Sequence, residues 1–209
     1  MTRKEITKIG KQLLPLLPGF VAHKNLMFIS PVEDVLRSLA FGSSVDANTF
    51  YVSKFFLPLY VPCEFVNDMF GERLRINGNS GWRDDDPHLI KNLINVIQSE
   101  AIPFINSVSS LVGVRDYLKV ESIKPRTNSH TLEALAYTLI KCGDYASALK
   151  SLAELKRMLQ GDTVPWVVAQ FNRAQLVEQK LLQSSEEALA QLKVWKVETI
   201  RNLKLEEFC

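Results

Sequence analysis

Three observations predict an α+β fold. Runs of Phe, Tyr, Val, Leu and Ile broken by turn-forming clusters fill the chain from Phe20 to about Ile76. A long apolar stripe at helical spacing follows from Ile90 to Val108, and four periodic segments lie beyond Asn128. The expected architecture is an antiparallel sheet of about four strands with flanking helices, followed by two α-helical hairpins. The expected division is an α+β domain over 1–119 and a helical region over 128–209. Between them lies a polar stretch containing Lys124, Pro125, Arg126, Thr127 and Asn128.

Residues Thr2 to Leu17 carry Ile6, Ile9, Leu13, Leu14 and Leu17 on one side, and Thr2 with Glu5 fits a capping box. Pro18-Gly19 closes this amphipathic helix. The four expected strands are Phe20 to Ser30, Val35 to Phe41, Thr49 to Val61 and Phe65 to Leu74. A short helix from Glu33 is the alternative for the second. Pro58 and Pro62 donate no ladder hydrogen bond, which places the third strand at an edge or next to a bulge. Asp86 and Pro87 suit the start of the next helix, and Pro103 should kink or divide it. That helix should cover one face of the sheet.

Beyond residue 128, Asn128 or Ser129 caps a helix bearing Leu132, Leu135, Ala136, Leu139 and Ile140. Gly143 ends it, and Asp144 caps the next, which Gly161 ends. Asp162-Thr163 and Pro165 open a third, with Val167, Val168, Phe171, Ala174 and Leu181 expected inward. Ser184 with Glu187 opens a fourth, bearing Ala188, Leu192, Trp195, Thr199 and Leu203.

Composition narrows the function. The net charge is +2, from 25 basic and 23 acidic residues, and both signs are spread evenly along the chain. A nucleic-acid binder usually shows a basic patch or stripe, so nucleic acid is disfavoured as a partner. No stretch approaches the roughly 18 consecutive apolar residues of a membrane span. Lys8, Gly10, Lys11 and Gln12 interrupt what would be the apolar core of a secretory signal. Cys63, Cys142 and Cys209 have neither zinc-site spacing nor the pattern of a disulfide framework, which fits a reducing cytoplasm.

His23, His88 and His130 are scattered and match no metal-binding spacing, and no cofactor motif occurs, so no cofactor is expected. Asp84, Asp85 and Asp86 offer three carboxylates of the kind that hold Mg²⁺ in a phosphoryl-transfer site, but no phosphate-binding loop accompanies them; acids favoured by a helix N-terminus explain them. The polar residues with most to offer lie on the strands. Arg37, Lys54, Glu72, Arg73 and Arg75 would form a small charged surface, and Trp82 and Tyr60 add aromatic area to this expected partner-binding set. Charges that discourage edge-to-edge pairing explain the same residues.

Two resemblances complete the reading. Leu132, Leu135, Ala136, Leu139, Gly143, Tyr145, Ala148, Leu152 and Leu155, with the run CGDYASAL, resemble one tetratricopeptide motif. The following hairpin is offset by 40 residues, so the period is not kept. This leaves simple hairpin packing and a peptide-binding groove both open. The segment from Phe20 to about Val114, with FYVSKFFLPLYVP, FGERLR, Trp82 and the Asp84 to Asp86 helix start, is similar to uncharacterised bacterial α+β proteins of unknown function. Some small proteins of that type are suspected immunity partners of toxins. The expected function is a non-enzymatic protein-binding module of a bacterial cell or mobile element, immunity-like or regulatory. The alternatives are a homo-oligomer joined through the aromatic strand or the last helix around Trp195, and an enzyme with a polar site near Glu72, Arg73 and Asp84.

Overall fold

The computed structural model describes residues 3–125 and 128–209, with side chains from Thr7 onward. The Thr2–Glu5 cap, the Ile6 side chain, and Arg126 and Thr127 of the polar stretch fall outside the described residues. The fold is α+β, with an antiparallel sheet and a helical C-terminal region. Two compact units are present. The first comprises Met1–Leu57, Phe65–Ser109 and Leu205–Cys209, and the second Pro58–Glu64 and Ser110–Lys204.

In the first unit, α1 (Arg3–Leu13) gives way to a single tight turn at Leu14–Leu16, where Pro15 cannot continue the helical ladder. The sheet has six strands rather than about four: β1 (Phe20–His23), β2 (Leu26–Ile29), β3 (Val35–Ser43), β4 (Thr49–Pro58), β5 (Phe70–Arg73) and β6 (Gly81–Arg83). The run from Phe20 to Ser30 is a hairpin and not one strand. It turns at Lys24, whose φ of +55° is unusual for a lysine and carries no Asn-Gly or Gly signature. Residues 65–69 are irregular, so only Phe70–Arg73 of the fourth expected strand pairs. The three-residue β6 lies in what reads as loop. The segment from Val35 is strand and not helix.

The strand order is β1-β2-β3-β4-β5, and β6 also pairs with β4. Strand β4 is therefore not an edge. One side meets β3, and on the other β5 lies against Ser53–Phe56 and β6 against Thr49–Tyr51. Pro58 is tolerated because it is the last residue of the strand.

One face of the sheet carries Met27, Leu39, Phe41, Phe50, Val52 and Leu74, packed against Ile9 and Leu13 of α1 and against the helical segment after β6. That segment runs as α2 (Leu89–Val96), one wide π turn (Ile97–Ala101) and α3 (Ile102–Ser107). The wide turn sits immediately before Pro103, whose missing N–H removes one rung of a regular ladder. Of the expected stripe, Leu93, Ile97, Ala101 and Ile105 stay on the core side, joined by Leu89, while Ile90, Ile94 and Phe104 are half-buried beside it.

The second unit is helical: α4 (Leu111–Ser122), α5 (Ser129–Lys141), α6 (Tyr145–Leu159), α7 (Pro165–Gln183) and α8 (Ser185–Leu203). Asn128 and Asp144 cap as expected, and Ser184 caps through Glu186 and not through the expected Glu187. At the start of α7, Val164 holds the cap position with no side-chain cap, in place of the expected Asp162-Thr163. Asn128 accepts from the Thr131 N–H, Asp144 from that of Ser147 and Ser184 from that of Glu186. Every residue of α5 from Thr131 to Ile140 is buried, because α4, α6, α7 and α8 all contribute to its surroundings. Residues 58–64 join this unit: the Tyr60 hydroxyl lies 2.7 Å from Thr138 Oγ1, and Asn202 donates to the Cys63 carbonyl at 3.2 Å. Val168 and Phe171 depart from the inward pattern, being exposed and half-buried respectively.

Gly71 has no room for a side chain. A Cβ there would lie 2.0 Å from the Lys54 carbonyl oxygen and 2.6 Å from Phe55 Cα, both backbone atoms of β4. Gly71→Ala should cost about 1–3 kcal/mol in chemical denaturation, because the strands must separate to admit it. Gly42→Ala, with open space around it, should leave the unfolding midpoint nearly unchanged.

Candidate functional site

The charged surface expected on the sheet is not assembled as expected. Lys54 is buried on β4, where its ammonium pairs with Glu72 at 3.0 Å, donates to the Glu100 carbonyl at 3.3 Å and lies 5.5 Å from the centre of the Phe104 ring. Arg73 follows Glu72 and so projects from the opposite face of the sheet, its guanidinium 4.0 Å above the Tyr51 ring. Arg37 is half-buried on β3 and Arg75 is exposed past the end of β5. Trp82 is a core residue whose indole N–H donates to the Leu74 carbonyl at 3.3 Å. Tyr60 is fully buried in the second unit. Lys54 and Glu72 are thus brought together, Arg73 lies on the opposite face of the sheet, and Trp82 and Tyr60 are buried.

The three aspartates also divide their roles. Asp85 forms a fork with Arg83 at 2.7 and 2.9 Å, and this hydrogen bond holds its carboxyl below the ordinary range. Asp86 accepts from the His88 N–H at 2.8 Å and from Asn92 at 3.2 Å, shaping the turn into α2. Regular helix begins at Leu89, later than Pro87 suggests. Among the described residues no group of three or more His, Cys, Asp or Glu side chains is placed to hold a metal ion.

Asp84 and Asp86 instead stand at a groove of about 810 Å³ between α1 and the start of α2. Ile9, Leu16, Ile90 and Ile94 supply its apolar lining, and Lys8 and Lys91 face the groove alongside the two aspartates. Leu16 is 46% exposed, so apolar surface is open to an incoming group. The size lies within the range of ligand-binding clefts. Its rim carries both signs of charge, which favours neither a polyanion nor a polycation.

The densest polar cluster lies in the second unit and escapes sequence reading. Glu133 of α5 is fully buried. Its Oε1 accepts from Arg173 Nε at 2.8 Å and from the Tyr137 hydroxyl at 3.1 Å. Its Oε2 accepts from Gln170 Nε2 at 2.9 Å and Arg173 Nη2 at 3.1 Å. Gln170 accepts in turn from Ser129 at 2.8 Å. Burial, and next the Glu133 carboxylate, raise the Tyr137 phenol well above its usual range, keeping it a donor. A carboxylate with four donors has little left for proton abstraction; this one clamps α5 to α7. Beside it, His130 stacks on Trp166 with ring centres 5.4 Å apart, and burial lowers its imidazole from the ordinary value. The available signal was Ser129, Glu133 and Tyr137 recurring every fourth residue of an otherwise mostly apolar helix. Burial also raises the Cys63 thiol to about 11, which makes it a poor nucleophile at neutral pH.

Compared with known proteins, the chain matches no family model, no curated protein and no solved structure.

Removing Arg173 leaves the Glu133 carboxylate buried without its cation. Arg173→Met should therefore destabilise the protein by about 3–5 kcal/mol in urea unfolding at neutral pH. The double variant Glu133→Gln with Arg173→Met should recover much of that loss, since no ionised group then remains in the cluster.

Proposed function

We propose that the protein is a non-enzymatic protein-binding module of a bacterial cell or mobile element, of an immunity-like or regulatory kind. It receives an apolar segment of a partner protein in the groove between α1 and α2. The observation that carries this reading is the groove's construction: an apolar lining from Ile9, Leu16, Ile90 and Ile94, with lysines and aspartates at its margin. Apolar side chains of a partner would fill the lining and exclude water, and the charges at the margin would set orientation and partner choice. The arrangement of Glu72, Arg73 and Asp84 lends no support to an enzymatic site, because Glu72 is paired with Lys54 and Arg73 lies over Tyr51.

None of the three cysteines is joined in a disulfide, which supports a reducing, cytoplasmic setting. No helix among the described residues is long and apolar enough to cross a membrane. The resemblance of Phe20 to Val114 to uncharacterised bacterial proteins supports the bacterial assignment.

Affinity capture from the native host tests the reading when wild type is compared with Leu16→Asp and Ile90→Asp. A single stoichiometric protein should be retained by the wild type, and each groove variant should bind it at least tenfold more weakly, about 1.4 kcal/mol. Val194→Asp, on the exposed side of α8, should retain it fully. Equal retention by all forms, or no retained protein at all, would overturn the proposal.

A further inference from the structure

Helix α7 presents an uncharged face to solvent. It is 19 residues long, and none of its ten exposed positions bears a charge. A well-solvated surface with about 25–35% charged residues would place about three there. The exposed sides of α6 and α8 are ordinary in this respect: Lys150, Glu154 and Arg157 lie on one, and Glu187, Lys193 and Arg201 on the other. The three ionisable residues of α7 are all half-buried. Two are already engaged, Arg173 by Glu133 and Glu178 by Lys156 of α6. Beyond Pro165 and Trp166 in its first turn, the solvent face consists of aliphatic and amide side chains, including Leu182 at 69% exposure, Val168 at 39% and Leu176 at 38%.

These positions fall in heptad rows. Val168, Gln175 and Leu182 form one flank, Ala169, Leu176 and Gln183 the other, and Asn172 and Gln179 the centre line. A repeat of seven is the spacing at which one helix meets another along its length. The set is also symmetric about the point between Gln175 and Leu176. If a second helix of the same sequence runs antiparallel across a two-fold axis there, each flank faces its own copy. Leu176 then meets Leu176, Gln175 meets Gln175, Val168 meets Leu182 and Asn172 meets Gln179. Apolar groups fall against apolar groups and amides, which both donate and accept, against amides, except at the outer pair of the second flank, where Ala169 meets Gln183. No like charges are brought together, which is the usual obstacle to a surface binding itself.

We infer that α7 is a self-association surface, and that its occupant is α7 of a second copy of this chain, packed antiparallel about a two-fold axis at Gln175–Leu176. An isologous contact of this kind is self-complementary and closes at the dimer. A helix of this length spans about 28 Å, so the contact falls near the lower end of specific interfaces and the dimer dissociates in the micromolar range. The surface lies in the second unit and stands independently of the α1–α2 groove in the first.

Sedimentation equilibrium over a micromolar concentration series tests this on the full chain. The wild type should show a monomer–dimer equilibrium. Leu176→Glu, which sets a carboxylate against its copy at the axis, should raise the dissociation constant at least tenfold. Val194→Glu on α8 should not. Orientation is read with a short bis-maleimide in a Cys209→Ser background, since Cys209 is an exposed thiol. Gln175→Cys should cross-link to itself. Leu182→Cys should not, because its two copies would stand about 20 Å apart along the axis at 1.5 Å per residue, whereas Val168→Cys combined with Leu182→Cys should. A monomer at every concentration, a dimer indifferent to Leu176→Glu, or Leu182→Cys cross-linking as readily as Gln175→Cys would each overturn the inference.

Discussion

Strand β4 must be covered on both faces, and much of the first unit follows from that constraint. Phe50 and Val52 look toward α1 and α2, while Phe55 and Leu57 project from the other face and are equally buried. A strand that is apolar on both sides reads as a continuous run instead of an alternation, which is how Phe55–Leu57 appears in the sequence. The one charge within it, Lys54, is kept by three partners at once: Glu72 across the ladder, the Glu100 carbonyl at the wide turn before Pro103, and the Phe104 ring. A buried ammonium costs several kcal/mol unless it is paired and hydrogen-bonded. Lys54 therefore ties β4 to β5 and to the helix break above it. Gly71 completes the arrangement by letting β5 approach β4 where any side chain would collide.

The same economy of charge bears on function. In the first unit Lys54, Glu72, Arg83 and Asp85 are paired within the fold, and in the second Glu133, Arg173 and Gln170 form a closed network. Groups committed in this way hold elements together and offer little to a substrate. Two other features are less committed. One is the α1–α2 groove, with apolar lining beside lysine and aspartate; the other is the solvent face of α7, where aliphatic and amide groups replace charge. Both suit contact with protein. They differ in what they would admit: the groove is concave and mixed in charge, whereas the α7 face is convex and complementary to itself.

The helical part was legible because its signals are local. Asn128, Asp144 and Ser184 cap helices where capping chemistry places them, and Leu93, Ile97, Ala101 and Ile105 of the stripe from Ile90 to Val108 meet the sheet as its periodicity implies. The strands were less so. The two-residue β1–β2 turn puts its positive φ on Lys24 and has only Asn25 as a turn signal, and β6 is a three-residue strand paired with β4. The site residues were least legible, because charge on a strand does not reveal whether a partner waits across the ladder. Lys54 reads as a surface cation until Glu72 is seen opposite it. Glu133 reads as one acid on an apolar helix until Gln170 and Arg173 arrive from about 40 residues away.

Doubly covered β4, pinned by Lys54, should be the most firmly held element of the first unit. Native-state hydrogen exchange measures this directly, since slow amides mark the segments that open only with the whole unit. The protected ladder amides between Val52 and Leu57 should be the slowest in that unit, slower than those of the β1–β2 hairpin and of β6. If β4 exchanges as fast as that hairpin, the strand is not what the first unit is built around.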